Sequence, residues 1–172
     1  MKKFVLLLLL LSIGVFAQGS LKIGYVDSEV ILKQLPESIK AQGELESIVK
    51  GWNAQLDSMQ QSLQADYEDY QKKEATMKES LKKEAVTRLQ QKDMELKEFN
   101  KSKFDRQSGE YVRQQEQILK PVKEKIFKGI DAVAKEEGMS FVFDKTGDIL
   151  LLYADSAFDI TYKVLDKLKR GK

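Results

Sequence analysis

The stretch "LESIVKGWNAQLDSMQQSLQADYEDYQKKEATM", Leu45 to Met77, decides the fold. Its apolar residues fall at Leu45, Val49, Trp52, Leu56, Met59 and Leu63 in alternating steps of four and three, and then at Tyr70 and Met77. Val49, Leu56, Leu63, Tyr70 and Met77 form an unbroken seven-residue series. Such a narrow stripe is a coiled-coil seam, made for one partner helix and not for a globular core. Trp52 and Tyr70 read as seam residues.

Outward from this stretch the chain stays helical without gaining a core. "EATMKESLKKEAVTRLQQKDMELKEF", Glu74 to Phe99, holds strong helix formers and no Gly or Pro. Its apolar residues are too few for a wide core-facing stripe. Farther on, Leu89 and Leu96, then Phe104, Tyr111 and Ile118, repeat at seven, diluted by Ser108 and Gln115. As one straight helix these residues would exceed 150 Å at ~1.5 Å per residue. Folding back supplies the partner helix. Equal arms from Ser28 to Glu137 turn near Lys82, each roughly 80 Å long.

The flanks supply a small sheet. "LKIGYVD" (Leu21 to Asp27) alternates Leu21, Ile23 and Tyr25 as a strand. "MSFVFDKTGDILLLYAD" (Met139 to Asp155) reads as two strands, Ser140–Phe143 and Asp148–Ala154, joined by a Gly-containing turn. In the second of these, Ile149, Leu151 and Tyr153 face one way and Leu150, Leu152 and Ala154 the other, so both faces need cover. A closing amphipathic helix runs from about Asp159 to Lys169, with Ile160, Val164, Leu165 and Leu168 inward; Asp159 suits its N-cap, and Ser156-x-x-Asp159 also fits a capping box. Ser28 to Leu35 forms a short helix, and Pro36 opens the next. The fold class is therefore mostly α with a small β-sheet body, a long antiparallel helical hairpin being inserted between strands.

At the N-terminus, Lys2 and Lys3 precede an apolar run from Phe4, with Val15-Phe16-Ala17 suited to cleavage. This reads as a signal peptide over 1–17 and not a membrane span. No Cys stands at the cleavage point, which excludes a lipid anchor of that type. The mature chain, 18–172, is one domain: a body of 21–35 with 138–172, and an arm of 36–137. With no Cys and no His in 172 residues, disulfides, ordinary zinc sites and the usual proton-transfer groups are absent. No nucleotide loop is present, so neither an enzyme nor a cofactor is expected.

Two of the 29 basic residues lie in the leader, which leaves 27 against 27 acidic ones. The distribution is uneven. Lys72 to Arg106 has eleven basic and seven acidic residues, whereas Glu29 to Gln71 has three and eight. Lys78, Lys82, Lys83, Arg88 and Lys92 make a basic arm tip, suited to weak contact with an anionic membrane or lipopolysaccharide. Neutral overall charge and export argue against nucleic acid. Gly43, Gly51, Gly109 and Pro121 fall at similar height on the two arms and weaken helix there, forming a candidate hinge.

The ends resemble one family. "KIGYVDSEVILKQLPE" (Lys22 to Glu37) and "FVFDKTGDILLLYADSAFDITYKVLDKLK" (Phe141 to Lys169), above all Y-A-D-S…D-I-T-x-x-V-L-x-x-L (Tyr153 to Leu168), are similar to the Skp/OmpH family of periplasmic chaperones. The resemblance implies a homotrimer with three arms around a cavity, holding unfolded outer-membrane proteins in the periplasm without ATP. Ile23, Tyr25, Phe141, Phe143, Ile149, Leu150, Leu151 and Leu152 would then form the trimer body. The best-known members are strongly basic, while this mature chain is neutral; no lipopolysaccharide motif carries over. The competing reading is a structural coiled-coil spacer or tether of the envelope.

Overall fold

The computed structural model describes residues 21–147 and 151–171. Its elements are β1 (Ile23–Val26), α1 (Ser28–Gln34), α2 (Pro36–Lys73), α3 (Glu79–Phe104), α4 (Glu110–Glu136), β2 (Phe141–Asp144) and α5 (Thr161–Arg170), with single 3-10 turns at Glu74–Thr76 and Ser156–Phe158. The chain falls into two compact units, one of residues up to Ile31 with Lys128 onward, the other Leu32–Phe127.

In the first unit β1 and β2 pair in parallel, Ile23 opposite Phe141 and Tyr25 opposite Phe143. On the far side of β1, Tyr25 also bridges Asp159. Because side chains alternate along a strand, Ile23, Tyr25, Phe141 and Phe143 share one face, and Gly24, Val26 and Val142 the other. Val26 is buried. Gly24 leaves only 3.1 Å between a would-be Cβ and the Met139 sulfur and 3.3 Å to the Phe158 carbonyl. Helix α5 buries Val164, Leu165 and Leu168, with Ile160 just ahead of it. Leu168 in turn packs on Gly129 of α4, where a Cβ would lie 2.7 Å from its Cδ2.

Caps close these elements. The Asp159 carboxylate accepts from the backbone N–H of Thr161 at 2.8 Å, but the N-cap position of α5 falls on Ile160, one residue after the Asp159 expected from the sequence. The buried Thr161 hydroxyl donates to the same carboxylate and accepts the Asp27 N–H at 2.9 Å. Asp27 caps α1 through the Val30 N–H at 2.8 Å. Two residues past the end of α4 stands Gly138, whose φ of 64° suits a residue without Cβ. The Met139 N–H reaches back to the Ala134 carbonyl at 2.8 Å.

The second unit is a helical hairpin. Seam residues Val49, Trp52, Leu56, Met59, Leu63, Tyr70 and Met77 on the outgoing side, and Val86, Leu89, Leu96 and Phe99 on the return, are half-buried between largely exposed neighbours. The Trp52 and Phe104 rings meet edge to face at 5.8 Å.

Three features differ from the sequence reading. The chain reverses at Glu74–Lys78, ahead of Lys82. No Gly or Pro is needed: a 3-10 turn is followed by Met77 (φ −70°, ψ 144°) and Lys78 (φ −68°, ψ 147°), extended angles open to any L residue. Equal arms misplace the turn because the return strand carries extra chain. Five residues, Asp105–Gly109, interrupt the helix between α3 and α4. Cross-arm partners show the offset. Their numbers sum to 156 at Trp52–Phe104 and to 162 at Glu37–Lys125.

This interruption is the second difference, since an almost continuous helix is expected there. The Asp105 carboxylate accepts from the N–H groups of Gln107 (3.0 Å) and Ser108 (2.8 Å) and from the Ser108 hydroxyl (2.8 Å). Such short polar side chains offer the backbone an alternative to helix.

Third, Leu151–Asp155 is not a strand. Its apolar residues suit one, but the sheet among the described residues has two strands, β1 and β2, and this segment pairs with neither. Leu152 and Tyr153 are 88% and 84% exposed. Asp148, Ile149 and Leu150 lie outside the described residues, as does the leader, 1–17.

Candidate functional site

No carboxylate, Cys or His cluster able to hold a metal occurs among the described residues, and no described helix is long and apolar enough to cross a membrane. What the chain offers is surface, and the two units offer different kinds.

In the first unit the apolar face of the sheet stands open at one end. Ile23 is 42% and Phe141 56% exposed, and they are register partners. Leu21 precedes them at 64%. Phe143 is half-buried, and Tyr25, at 9% exposure, already belongs to the core. Of the residues expected in the trimer body, Leu151 is half-buried and Leu152 exposed, while Ile149 and Leu150 lie outside the described residues. A contiguous exposed apolar face of this kind marks an interaction surface.

The opposite edge of the sheet is polar. The Lys145 ammonium reaches Asp27 at 3.0 Å, and Asp144 accepts from the Ser28 N–H at 3.2 Å and the Thr146 hydroxyl at 2.8 Å. Burial raises the pKa of both acids, but these donors outweigh it and hold both below the ordinary carboxylate value. The Lys145 ammonium is correspondingly stabilised by Asp27. Every partner is satisfied within the network, which makes it a structural clasp.

In the second unit the arm carries cross-helix ion pairs. Asp66 pairs with Lys92 at 2.8 Å and with Arg88 at 3.6 Å. Lys92, then Arg88, lowers its pKa. Glu37 pairs with Lys125, which lowers the Glu37 pKa likewise. The basic tip is thus partly engaged: Arg88 and Lys92 face Asp66, whereas Lys78, Lys82 and Lys83 make no ion pair among the described residues.

The hinge candidates are placed unequally. Helix α2 runs unbroken through Gly43 and Gly51, where a Cβ would meet open space. Helix α4 continues through Pro121. Gly109 lies at the Asp105–Gly109 interruption, and a Cβ there would fall 2.5 Å from the Asp105 carbonyl oxygen. Alanine at 109 therefore collides instead of straightening the arm, contrary to the simple propensity argument. Lys103 and Glu110 form an ion pair across the interruption. The Lys103 ammonium also stands 5.2 Å from the Trp52 ring centre and 5.6 Å from that of Phe99.

The capping acid Asp105 and the half-buried aromatic pair beside it were not singled out as functional from the sequence. The D-x-x-S spacing of Asp105 and Ser108, a local side-chain turn signal, was the available clue.

On both sides of the α2–α3 seam lie shallow grooves. One, of about 430 Å³, is lined by Leu63, Tyr67, Tyr70, Val86 and Leu89 among others. The other, of about 290 Å³, lies at Met59, Ser62 and Lys92. Two helices alone cannot seal both flanks, so apolar surface stays within reach of a ligand.

Known proteins fit this arrangement. Residues 22–168 match the family of OmpH-like outer membrane proteins. The chaperone protein Skp of Pectobacterium atrosepticum is 29% identical over 165 residues, covering 94% of this chain and 93% of that protein. The Skp of Yersinia enterocolitica is 30% identical over 148 residues, 86% of each. Among solved structures, an OmpH-like protein from Caulobacter crescentus superposes with a TM-score of 0.73 over 92% of both chains, at 17% identity, a likeness of fold. With a strand pair split by a long helical hairpin, a capped closing helix and a family match across almost the whole described chain, this protein belongs to the OmpH-like family.

Proposed function

We propose that this protein is an ATP-independent holdase chaperone of the periplasm, which binds unfolded outer-membrane proteins and keeps them from aggregating. The observation that carries the reading is the arm: its apolar residues stay half-buried along a seam with open flanks. Many weak, reversible contacts of this kind suit clients that lack a fixed shape. The two similar proteins named Skp support the same activity. The basic, then apolar, leader supports export.

The working form is a homotrimer. Its support is the open sheet face at Ile23 and Phe141 with the exposed Leu152 and Tyr153 beyond it, surface that a solitary small unit leaves wet at a cost. In this form the arms flex at Gly109 and its neighbours. Lys78, Lys82 and Lys83 offer weak, salt-dependent contact to anionic surfaces.

The test is dilution of a urea-unfolded outer-membrane barrel protein with and without this protein, followed by light scattering. Suppressed scattering at a few equivalents is expected. A spacer or tether would leave it unchanged, and so would a protein that acts only with ATP, since none is added. Sedimentation tests the assembly: Ile23→Asp with Phe141→Asp should yield monomers that retain their helix content. An intact trimer in this double variant would remove the sheet face from the interface.

A further inference from the structure

The two flanks of the arm are chemically different. On α2, Glu37 and Asp66 stand eight turns apart at about 3.6 residues per turn, so they project from the same side of the helix. Both cross-arm ion pairs, Glu37 with Lys125 and Asp66 with Lys92 and Arg88, therefore clasp one flank. Lys92 adds a bond to the Ser62 hydroxyl there at 2.8 Å.

On the other flank, Gln42, Glu46, Val49 and Asn53, and farther out Gln64 and Tyr67, follow one another in helical register. They line two grooves. Near the tip Leu63, Tyr67 and Tyr70 face Val86 and Leu89, and Asp93 is the one ionised residue in the lining. Nearer the base Val49 and Asn53 face Tyr111 and Leu119, and the two ionised residues there, Glu46 and Lys50, have opposite signs. Tyr67 is 48% exposed. The flank without cross-arm ion pairs is thus lined by tyrosine, aliphatic and amide side chains, with almost no net charge.

We infer that this neutral flank is where the arm grips its client, and that the occupant is an extended segment of an unfolded outer-membrane barrel protein. The inference rests on the chaperone reading and adds the surface. Charge decides the occupant. A lipid head group or a polyanion gains nothing from a lining whose residual charge is negative, whereas a barrel strand is largely uncharged along its apolar face. Such a strand alternates apolar and polar residues. Its apolar side meets the leucine and valine side chains and the tyrosine rings. Its backbone amides, unpaired while unfolded, meet Gln42, Asn53, Gln64, Gln90 and Gln115, each able both to donate and to accept. Tyrosine adds contact area at low entropic cost. On the clasped flank Glu37, Lys125, Asp66, Lys92 and Arg88 already commit their charges to one another.

A photocrosslinking phenylalanine derivative at Gln64 or Asn53, on the neutral flank, is compared with the same group at Ser58 or Glu44, on the clasped flank. All four positions are exposed. The probe is a urea-unfolded outer-membrane barrel protein diluted into the full-length chaperone. Crosslinks at Gln64 and Asn53 should exceed those at Ser58 and Glu44 at least fivefold. Gln64→Glu with Tyr67→Glu should weaken client binding about tenfold at unchanged helix content, and Ser58→Glu less than twofold. Equal or reversed crosslinking, in a protein that still suppresses aggregation, overturns the flank assignment alone. A protein that suppresses no aggregation at all overturns the chaperone reading beneath it. Displacement of the client from Gln64 by phosphatidylglycerol vesicles would assign the flank to lipid and also count against the inference.

Discussion

Helix α5 and helix α2 are both amphipathic, yet they are stabilised in different ways. In α5, Val164, Leu165 and Leu168 are 0–5% exposed. In α2, of the seam residues from Leu45 to Tyr70, Leu45 is buried, at 8%, and the others are half-buried. The first unit has a small conventional core. The second buries Leu35, Ala41, Leu45, Val122 and Ile126, and from Val49 outward it has a line of contact with water on both sides. Removing one methyl group should therefore cost more in the first unit, and the cost should spread farther.

The largest effect is expected at Val164. Val164→Asp buries an unpaired carboxylate and should cost about 4 kcal/mol or more, seen as loss of the cooperative transition in urea. A variant with a midpoint near the native one would place α5 outside the core. Gly129→Ala comes next. Its methyl meets Leu168 at 2.7 Å, and overpacking of this kind costs about 1–3 kcal/mol. Restored stability in Gly129→Ala with Leu168→Ala would identify the contact. In the arm, Leu63→Ala should cost only about 1–2 kcal/mol, below the range of a fully buried leucine. Its loss of amide protection should stay within α2 and α3. Protection lost equally in α5 would show that the two units unfold as one.

The comparison changes sign at Gly51. It lies in an exposed stretch of α2 with open space around it, so Gly51→Ala should raise stability by about 0.5–1 kcal/mol. A drop in melting temperature would mean that something covers this position.

The smallest effect is that of pH between 5 and 8. The protein has no His, and the carboxylates with shifted pKa values among the described residues, Asp27, Glu137 and Asp144 in one unit and Glu37, Asp66, Asp105 and Glu110 in the other, are all held low. Each binds its proton less readily when folded. Each therefore adds stability above the ordinary carboxylate range, about pH 4, and loses it as pH falls below. The melting temperature should be level from pH 5 to 8 and decline in acid. A step near pH 6–7 would contradict this set of groups.

The contrast between units also explains what could be read in advance. Leu56, Leu63 and Tyr70 advertise a seam because a helix repeats every few residues, and Val164, Leu165 and Leu168 advertise a packed face in the same way. Ile23 and Phe143 are legible as strand residues by alternation. The turn at Glu74–Lys78 is not, because Met77 and Lys78 take extended angles that any residue can adopt. The interruption at Asp105 depends on one carboxylate out-competing helical hydrogen bonds, an effect of local geometry that no period reveals. The segment at Leu151–Asp155 has strand composition yet joins no ladder, since composition records what a chain can pair with and not whether it does. For the client surface, the tyrosine and glutamine residues are visible one by one. Their gathering on one flank depends on where the ion pairs of Asp66 and Glu37 fall.

The pairing of Ile23 with Phe141 carries a consequence for the order in which the chain acquires its shape. Strand β1 emerges early and must wait for β2 until nearly the whole sequence has been made. Closing so long a flexible loop costs about 4 kcal/mol in chain entropy, more than a two-strand ladder of four residues returns by itself. The α2–α3 hairpin needs only near neighbours and nucleates locally. Once formed, it takes most of the intervening chain out of the loop, leaving only short flexible lengths to be closed. The arm is then not an appendage added to a finished body. It is the piece that must fold first for the body to exist at all, and a lesion at its turn would appear as slow or failed assembly of the sheet.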